Sequence, residues 1–245
     1  MQSKSLRNQD MTTGSITGKM LIFAVPVFFG SVFGQLYNVV DTIVVGRYVG
    51  SEALAAVGSC GNILMVFYAL MMGMNIGAGV VVSQYFGAKD YRQLNRTVIT
   101  LLIIATCITL VMVVLGLSLS RVFLQLLNTP ANIMDDAALY LRICFVGLLG
   151  QFYYYVGSYI LRGMGDSRWP MYMLILSSVI NIVLDLLFVL QFHWDVAGVA
   201  WATAIAQAVS AVVVLIRLAR HEHLDFSRGN WHIDRSKIRP ILTIG

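Results

Sequence analysis

Charge is scarce in this sequence. Only 12% of the 245 residues are Asp, Glu, Lys or Arg, whereas 58% are hydrophobic and the mean hydropathy is +0.76. A soluble domain carries about 25% charged residues. Burial in a soluble core does not explain long runs without charge, but a surface in contact with lipid does. The composition therefore excludes an ordinary soluble domain and predicts an all-α, polytopic membrane protein.

Cysteine and histidine are also scarce. The three cysteines, Cys60, Cys107 and Cys144, each lie in an apolar stretch and lack the spacing of a metal site, so we interpret them as small packing residues. None of the four histidines falls in the middle of an apolar run. The sequence thus lacks the nucleophile, base or metal ligands of most intramembrane enzymes. We expect neither an enzyme nor a bound cofactor.

Six segments are apolar over the length of about 20 residues that a helix needs to cross a bilayer. The predicted spans are 20–46, 54–86, 97–120, 137–161, 169–192 and 196–216. They define a predicted six-helix transmembrane bundle over 19–219, preceded by a cytoplasmic segment over 1–18 and followed by a cytoplasmic connection over 220–237. We expect 238–245 to begin a seventh helix, which would make this chain a fragment of a longer protein; alternatively, the chain pairs with another lobe.

The distribution of basic residues predicts the orientation, because cytoplasmic loops are rich in Lys and Arg. If the N-terminus is cytoplasmic, 14 of the 17 basic residues face the cytoplasm, and only Arg47, Arg121 and Arg142 lie on or near the outer side. We therefore predict a multi-pass protein of the cell (inner) membrane with a cytoplasmic N-terminus. Since the positive charge is spread over every inner loop, we expect no nucleic-acid partner.

Two carboxylates lie within the apolar spans, where an ionised acid costs at least about 2.5–3.5 kcal/mol unless it faces a cavity or a partner. At about 1.5 Å per residue, Asp41 lies roughly 9 Å and Asp185 roughly 15 Å from the outer flank. Asn181 precedes Asp185 by one helical turn, and Thr203 in the sixth span lies at a similar depth. This oxygen-rich set suits Na⁺ or a proton shared by two acids. Alternatively, Asp41 is an interfacial residue that pairs with Arg47.

Further polar residues indicate a substrate cavity beside these acids. Gln35 and Asn38 continue a polar stripe in the first span, and Ser177 extends the polar face of the fifth. Tyr154 and Tyr155 lie mid-span, where aromatic faces can hold organic cations, although helix packing is the alternative interpretation. Pro26 makes a hinge possible in the first span. Small residues at four-residue spacing, Gly73 and Gly77 and then Gly198, Ala202, Ala206 and Ser210, predict close helix contacts.

The sequence resembles the N-terminal half of the MATE (multidrug and toxic compound extrusion) transporters, in particular their DinF-like branch. The segments that carry the resemblance are VFFGSVFGQLYNVVDTIVVGRYVGSEALAAVG after Pro26, GAGVVVSQYFGAKD, LRGMGDSRWPMYM, NIVLDLLFV and GVAWATAIAQ, in this order. The resemblance implies one six-helix lobe of a twelve-helix protein that exchanges Na⁺ or H⁺ for drugs. It also implies a cation site at Asp41, Asn181, Asp185 and Thr203, with Gln35 at the cavity.

We therefore predict a secondary antiporter whose partners are small, cationic amphipathic substrates, the lipid bilayer and a C-terminal lobe absent from this chain. Two alternatives stay open. A lipid-linked oligosaccharide flippase of the same superfamily would line its cavity with cationic residues, whereas acids are present here. An intramembrane aspartyl enzyme would place its two acids in tyrosine- and glycine-flanked motifs, which neither Asp41 nor Asp185 occupies.

Overall fold

The computed structural model describes residues 16–227 and, beyond them, residues 231, 233, 234, 237, 241 and 243. Within this part of the chain there are six long helices and no strand, which confirms the all-α fold. The helices are α1 Ile16–Val44, α2 Ser51–Gly87, α3 Tyr91–Leu126, α4 Met134–Gly163, α5 Arg168–Leu186 and α6 Asp195–Ala219. Of the predicted N-terminal segment 1–18, residues 1–15 lie outside the description and α1 begins at Ile16. Most of 238–245 also lies outside it.

Short capped turns connect the helices at one end of the bundle. The Asp90 side chain accepts a hydrogen bond from the Gln93 amide at 3.1 Å and caps the first turn of α3. Asp166 does the same for α5, accepting from the Trp169 amide at 3.2 Å. These turns and the end of α6 carry Lys89, Arg92, Arg96, Arg162, Arg168, Arg217 and Arg220. We call this end of the bundle the basic end.

Five of the six helices are long and apolar enough to cross a membrane, and α4 is the exception. The sequence predicts a span within α4, whose 30 residues are sufficient in length. However, α4 carries Gln151 and several tyrosines, and it lies at the centre of the bundle, packed against α6, α2 and α3. A helix enclosed by protein does not need an apolar surface on every face. This explains why its composition is less lipid-like than that of its neighbours.

Glycines in α4 allow α6 to approach it closely. A Cβ atom at Gly150 would lie 2.7 Å from the amide nitrogen and 2.8 Å from the Cα atom of Ala208. One turn earlier, a Cβ atom at Gly147 would lie 3.0 Å from the Cβ atom of Ala204. The predicted stripe of small residues on α6 is buried, from Gly198 to Ser210. Small residues on both helices thus permit the backbone contact that is typical of membrane bundles.

The first helix lies at the edge of the bundle. Among the described residues α1 packs mainly against α5, where a Cβ atom at Gly30 would lie 3.7 Å from Leu174. Many of its large apolar side chains are exposed, including Phe28, Leu36 and Val39. Pro26 lies within α1, which continues through it as one helix, so its role as a hinge stays a prediction.

The described part of the connection after α6 folds back onto the basic end. The Asn95 side chain of α3 donates to the Asp225 carbonyl at 3.0 Å and accepts from the Asp225 amide at 2.9 Å. Further along, the Asp234 amide donates to Thr100 Oγ1 at 3.1 Å, and Lys237 donates to the Tyr85 hydroxyl at 2.7 Å. The connection is therefore attached to α2 and α3 at several points.

Candidate functional site

The two intramembrane acids meet where α1 contacts α5. Asp41 is half-buried on α1, Asp185 is fully buried on α5, and their carboxyl groups lie within hydrogen-bonding reach of each other. Within the described chain no ion pair joins Asp41 to Arg47, which removes the support for an interfacial pairing. Two carboxylates at this separation share a proton or a cation, because like charges in a low dielectric do not both stay ionised without compensation.

Asn181 connects the acids to α6. With the amide orientation that satisfies all its neighbours, its nitrogen donates to Asp185 Oδ2 at 2.9 Å. Its oxygen accepts from the Thr203 hydroxyl at 3.2 Å and from the Thr203 amide at 3.2 Å. The four side chains predicted from the sequence therefore come together at the junction of α1, α5 and α6. Whether they couple an ion to transport stays a prediction.

Each acid keeps one oxygen without a partner. Asp41 Oδ1 and Asp185 Oδ1 are buried and accept no hydrogen bond within the described part of the chain. A buried polar atom without a partner costs about 1–3 kcal/mol, and more when it is charged. Two such oxygens on adjacent carboxyl groups form a site that a bound positive charge would stabilise. A proton or Na⁺, completed by water, fits this donor set.

A π-helical turn follows each acid-bearing helix. Val45–Val49 continues α1 and Leu187–Gln191 continues α5, and the two turns contact each other at the end opposite the basic end. Wide helical turns of this kind occur frequently at functional sites. Here they lie on the side of the carboxylate pair away from the basic end, since Asp41 and Asp185 precede them by a few residues.

The five residues predicted to line a substrate cavity do not lie together. Gln35 and Asn38 are exposed on α1. Ser177 is buried on α5, and Tyr154 is buried on α4, where its hydroxyl donates to the Pro170 carbonyl at 3.1 Å. Tyr155 is partly exposed and borders a cavity between α2 and α4. Their common role in substrate binding stays a prediction.

That cavity contains residues that the sequence did not single out. It has a volume of about 130 Å³ and is lined by Tyr68, Met71, Met72, Asn75, Tyr155 and Tyr159. Asn75 is 1% exposed, and its amide oxygen has no hydrogen-bond partner among the described residues. Gln207 on α6 is a second buried amide with an unpaired oxygen. Both are uncharged, so a search for intramembrane charge passes over them.

Comparison with known sequences identifies the family. The family model described as MatE matches residues 26–187. The chain is 31% identical over 222 residues to the Probable multidrug resistance protein YoeA of Bacillus subtilis (strain 168), covering 89% of this chain and 48% of that protein. It is 24% identical over 197 residues to the DNA damage-inducible protein F of Escherichia coli (strain K12), covering 80% and 43%. The chain thus spans about half the length of these relatives.

Solved structures show the same relationship. A crystal structure of a MATE P26A mutant superposes with a TM-score of 0.91 and 25% identity, covering 99% of this chain and 55% of that chain. A MOP superfamily transporter from Pyrococcus furiosus, for which reversed polarity of the binding pocket suggests a different function, superposes with a TM-score of 0.90 and 25% identity. In that pair, 98% of this chain and 54% of the other are covered. The chain belongs to the MATE family of multidrug efflux transporters and has the fold of about half of such a protein.

Proposed function

We propose that this chain is the ion-coupling lobe of a secondary antiporter, which exports organic cations in exchange for Na⁺ or H⁺. The observation that carries the proposal is the carboxylate pair, in which Asp41 and Asp185 each keep a buried oxygen without a partner. Among the described residues no ion pair neutralises these two acids, and the bridge through Asn181 engages only the second oxygen of Asp185.

The pair can act as a switch between two states of the lobe. Without a cation, repulsion between the carboxylates favours separation of α1 from α5. With a proton or Na⁺ bound, the repulsion disappears and α1 closes on α5. Because α1 packs mainly against α5 at the edge of the bundle, a change at this contact can move α1 without disrupting the core. Substrate in a cavity bordered by α1 would then be released as the coupling ion binds.

Transport also requires a second lobe in this proposal. The exposed faces of α1 and α2 are apolar, with Phe28, Leu36, Met65, Val66 and Leu70 at the surface. The relatives named above carry roughly as many residues again. We propose that the remaining part of such a protein covers these faces and completes the substrate cavity. We propose organic cations as substrates because the relatives are multidrug proteins and because tyrosine rings line the cavity between α2 and α4.

The test uses the complete transporter, with this lobe and its second lobe, reconstituted into liposomes. Efflux of a fluorescent organic cation is measured under an imposed Na⁺ gradient or pH gradient. Asp41→Asn and Asp185→Asn are compared with wild type, and Asp136→Asn, at an exposed carboxylate in the first turn of α4, is the matched control. We expect both site variants to lose gradient-driven efflux and the control to retain it.

Other outcomes assign other functions. Gradient-driven efflux that persists in both site variants would limit these acids to a structural role and place coupling outside this lobe. Absence of organic-cation efflux in the wild type under either gradient would contradict the antiporter. Translocation of a lipid-linked oligosaccharide would then be the next activity to measure.

A further inference from the structure

A line of polar side chains continues from the carboxylate site along the contact between α5 and α6. Two contacts fix the register of these antiparallel helices. Asn181 bonds to Thr203 at 3.2 Å, and the Ser210 hydroxyl donates to the Met173 carbonyl at 3.3 Å. Between these contacts lie Ser177 on α5 and Gln207 on α6, each about one turn from both of them, so the register places them at the same level of the two helices. We call this contact, from Asn181 and Thr203 to Ser210, the α5–α6 seam.

Gln207 is the member of the seam that has a fully buried amide oxygen without a hydrogen-bond partner among the described residues. Its side chain is 9% exposed, and its Oε1 atom is fully buried without a hydrogen bond inside the described chain. Polar side chains often join membrane helices by bonding across them. Gln207 Oε1 accepts no hydrogen bond from a neighbouring helix within the described chain. A bond between helices therefore does not explain why this polar atom is buried.

Helix α4 covers one side of the seam. A Cβ atom at Gly150 of α4 would lie 3.1 Å from the carbonyl carbon of Gln207, so α4 lies directly against this part of α6. Three other seam residues are also enclosed, because Ser177 is 3%, Asn181 1% and Ser210 0% exposed, whereas Thr203 is half-buried. A hydrated Na⁺ does not fit between helices packed this tightly. A single water would satisfy the Gln207 amide oxygen, since buried polar groups without a protein partner typically bind one.

The line of polar groups also reaches the basic end. Beyond Ser210, the Tyr154 hydroxyl of α4 bonds to the Pro170 carbonyl in the first turn of α5. At the same end of the bundle, Asp166 Oδ2 lies 3.7 Å from a guanidinium nitrogen of Arg217 on α6, and both side chains are half-buried. Polar groups thus occur at successive turns from Asp185 to this ion pair.

We infer that the α5–α6 seam is a proton path between the carboxylate pair and the basic end, over a water held by the amide oxygen of Gln207. The inference rests on the proposed antiport and selects the proton as the coupling ion. A proton that leaves the carboxyl pair is passed on along this water and the hydroxyls of Ser177, Ser210 and Tyr154, and another proton leaves at the basic end. The amide of Gln207 only accepts a hydrogen bond and positions the water, so its own charge does not change.

The path is tested in the complete transporter, with the efflux assay driven by a pH gradient. Gln207→Met keeps the length of the side chain and fills the space with apolar atoms, so it displaces the water. Gln207→Ala leaves space that water can occupy. Gln125→Met makes the same change on an exposed position of α3 and is the matched control. Maximal rate, apparent KM for the organic cation and thermal stability are measured for each.

We expect Gln207→Met to lower the maximal rate roughly tenfold or more, with an unchanged apparent KM. Gln207→Ala should keep a higher rate than Gln207→Met although it is the less stable of the two, because it creates a cavity. A purely structural role predicts the opposite order, in which the less stable variant is also the slower one.

Several results would overturn the inference without affecting the proposed function. They are a Gln207→Met rate equal to that of wild type, a change in apparent KM alone, a rate for Gln207→Ala below that of Gln207→Met, or efflux driven by Na⁺ and not by a pH gradient. Failure of the proposed function has a different signature, because Asp41→Asn and Asp185→Asn would then transport like wild type.

Discussion

Gly150 shows how one residue controls the spacing of two helices. A side chain at this position would meet the backbone of α6 at Ala208, and backbone atoms do not rotate away as the end of a flexible side chain does. The consequence extends to the seam, because α6 presents Gln207 at the same level. The separation of α4 and α6 thus determines how tightly the polar groups of the seam are enclosed.

We therefore predict that Gly150→Ala destabilises the protein by about 1–3 kcal/mol, the usual cost of overpacking. The measurement is thermal unfolding of the purified protein in detergent. Gly61→Ala on α2 is the control, since a Cβ atom there meets nothing within 4 Å. Equal melting temperatures for Gly150→Ala and Gly61→Ala would show that α4 and α6 separate without cost.

Asn75 and Gln207 illustrate a second effect at the scale of residues. Both are buried amides whose oxygens lack a partner in the described chain, but they face different surroundings. Asn75 borders an open cavity with three tyrosine rings, whereas Gln207 lies between packed helices. Burial of an unpaired amide therefore does not by itself indicate one role for the two positions.

At the scale of elements, the connection after α6 is held against the bundle by several contacts. His221 and Leu224 are buried, and the His223 ring stacks on Tyr91 with centroids 4.0 Å apart. Together with the two hydrogen bonds between the Asn95 side chain and the Asp225 backbone, these contacts fix the path of the chain as it leaves α6. The position of whatever follows the connection is thereby tied to the basic ends of α2 and α3.

This attachment depends on pH through His221. Burial lowers the pKa of His221 below its ordinary value of 6.5, and the nearby His223 and Arg217 lower it further. Its Nδ1 atom accepts a hydrogen bond from the His223 amide at 3.4 Å, a bond that protonation of Nδ1 would remove. The unfolded chain takes up a proton near pH 6.5 while the folded chain resists it. Stability from this group is therefore complete above that pH and is lost as the pH falls below it.

We predict that thermal stability of the wild type falls more steeply below pH 6.5 than that of His221→Gln, by at most about 1.4 kcal/mol per pH unit. Melting temperatures between pH 8 and pH 5.5 provide the measurement, and the difference between the two proteins removes contributions from the intramembrane acids. His193→Gln, at an exposed histidine of the opposite end, should retain the wild-type dependence. Parallel curves for wild type and His221→Gln would contradict the prediction.

At the scale of the whole molecule, basic charge is distributed unequally between the two ends of the bundle. The basic residues gather at one end of the bundle, as the loop charges predict for the cytoplasmic side. Ala88, between α2 and α3, lies at this end, and Ala131, between α3 and α4, lies at the other. Both are exposed, so they make a matched pair of reporter positions.

We predict that a membrane-impermeant maleimide labels Ala131→Cys in intact cells, and that it labels Ala88→Cys only after the membrane is permeabilised. The three native cysteines are first replaced by alanine. Labelling of Ala88→Cys in intact cells, with Ala131→Cys protected, would reverse the orientation. It would also place the basic end, where the proposed proton path opens, on the outer side of the membrane.

Much of this protein follows from sequence alone, because lipid imposes strong and simple rules. Apolar length predicted all six helices to within several residues, since backbone groups in a bilayer must bond within their own helix. The cost of charge in lipid indicated Asp41 and Asp185, and one-turn spacing added Asn181. Composition was less informative for α4, because contact with protein relaxes the requirement for an apolar surface.

Only the tertiary structure decided which polar groups meet. It joined Asp41 to Asp185 and Asn181 to Thr203 across three helices, and it separated Tyr154 and Ser177 from the exposed Gln35 and Asn38. The unpaired oxygens of Asn75 and Gln207 also became evident only after packing, since whether an amide has a partner depends on the neighbouring helix. Spacing along one helix predicts its faces, but the rotation of one helix against another is determined by the fit of their side chains.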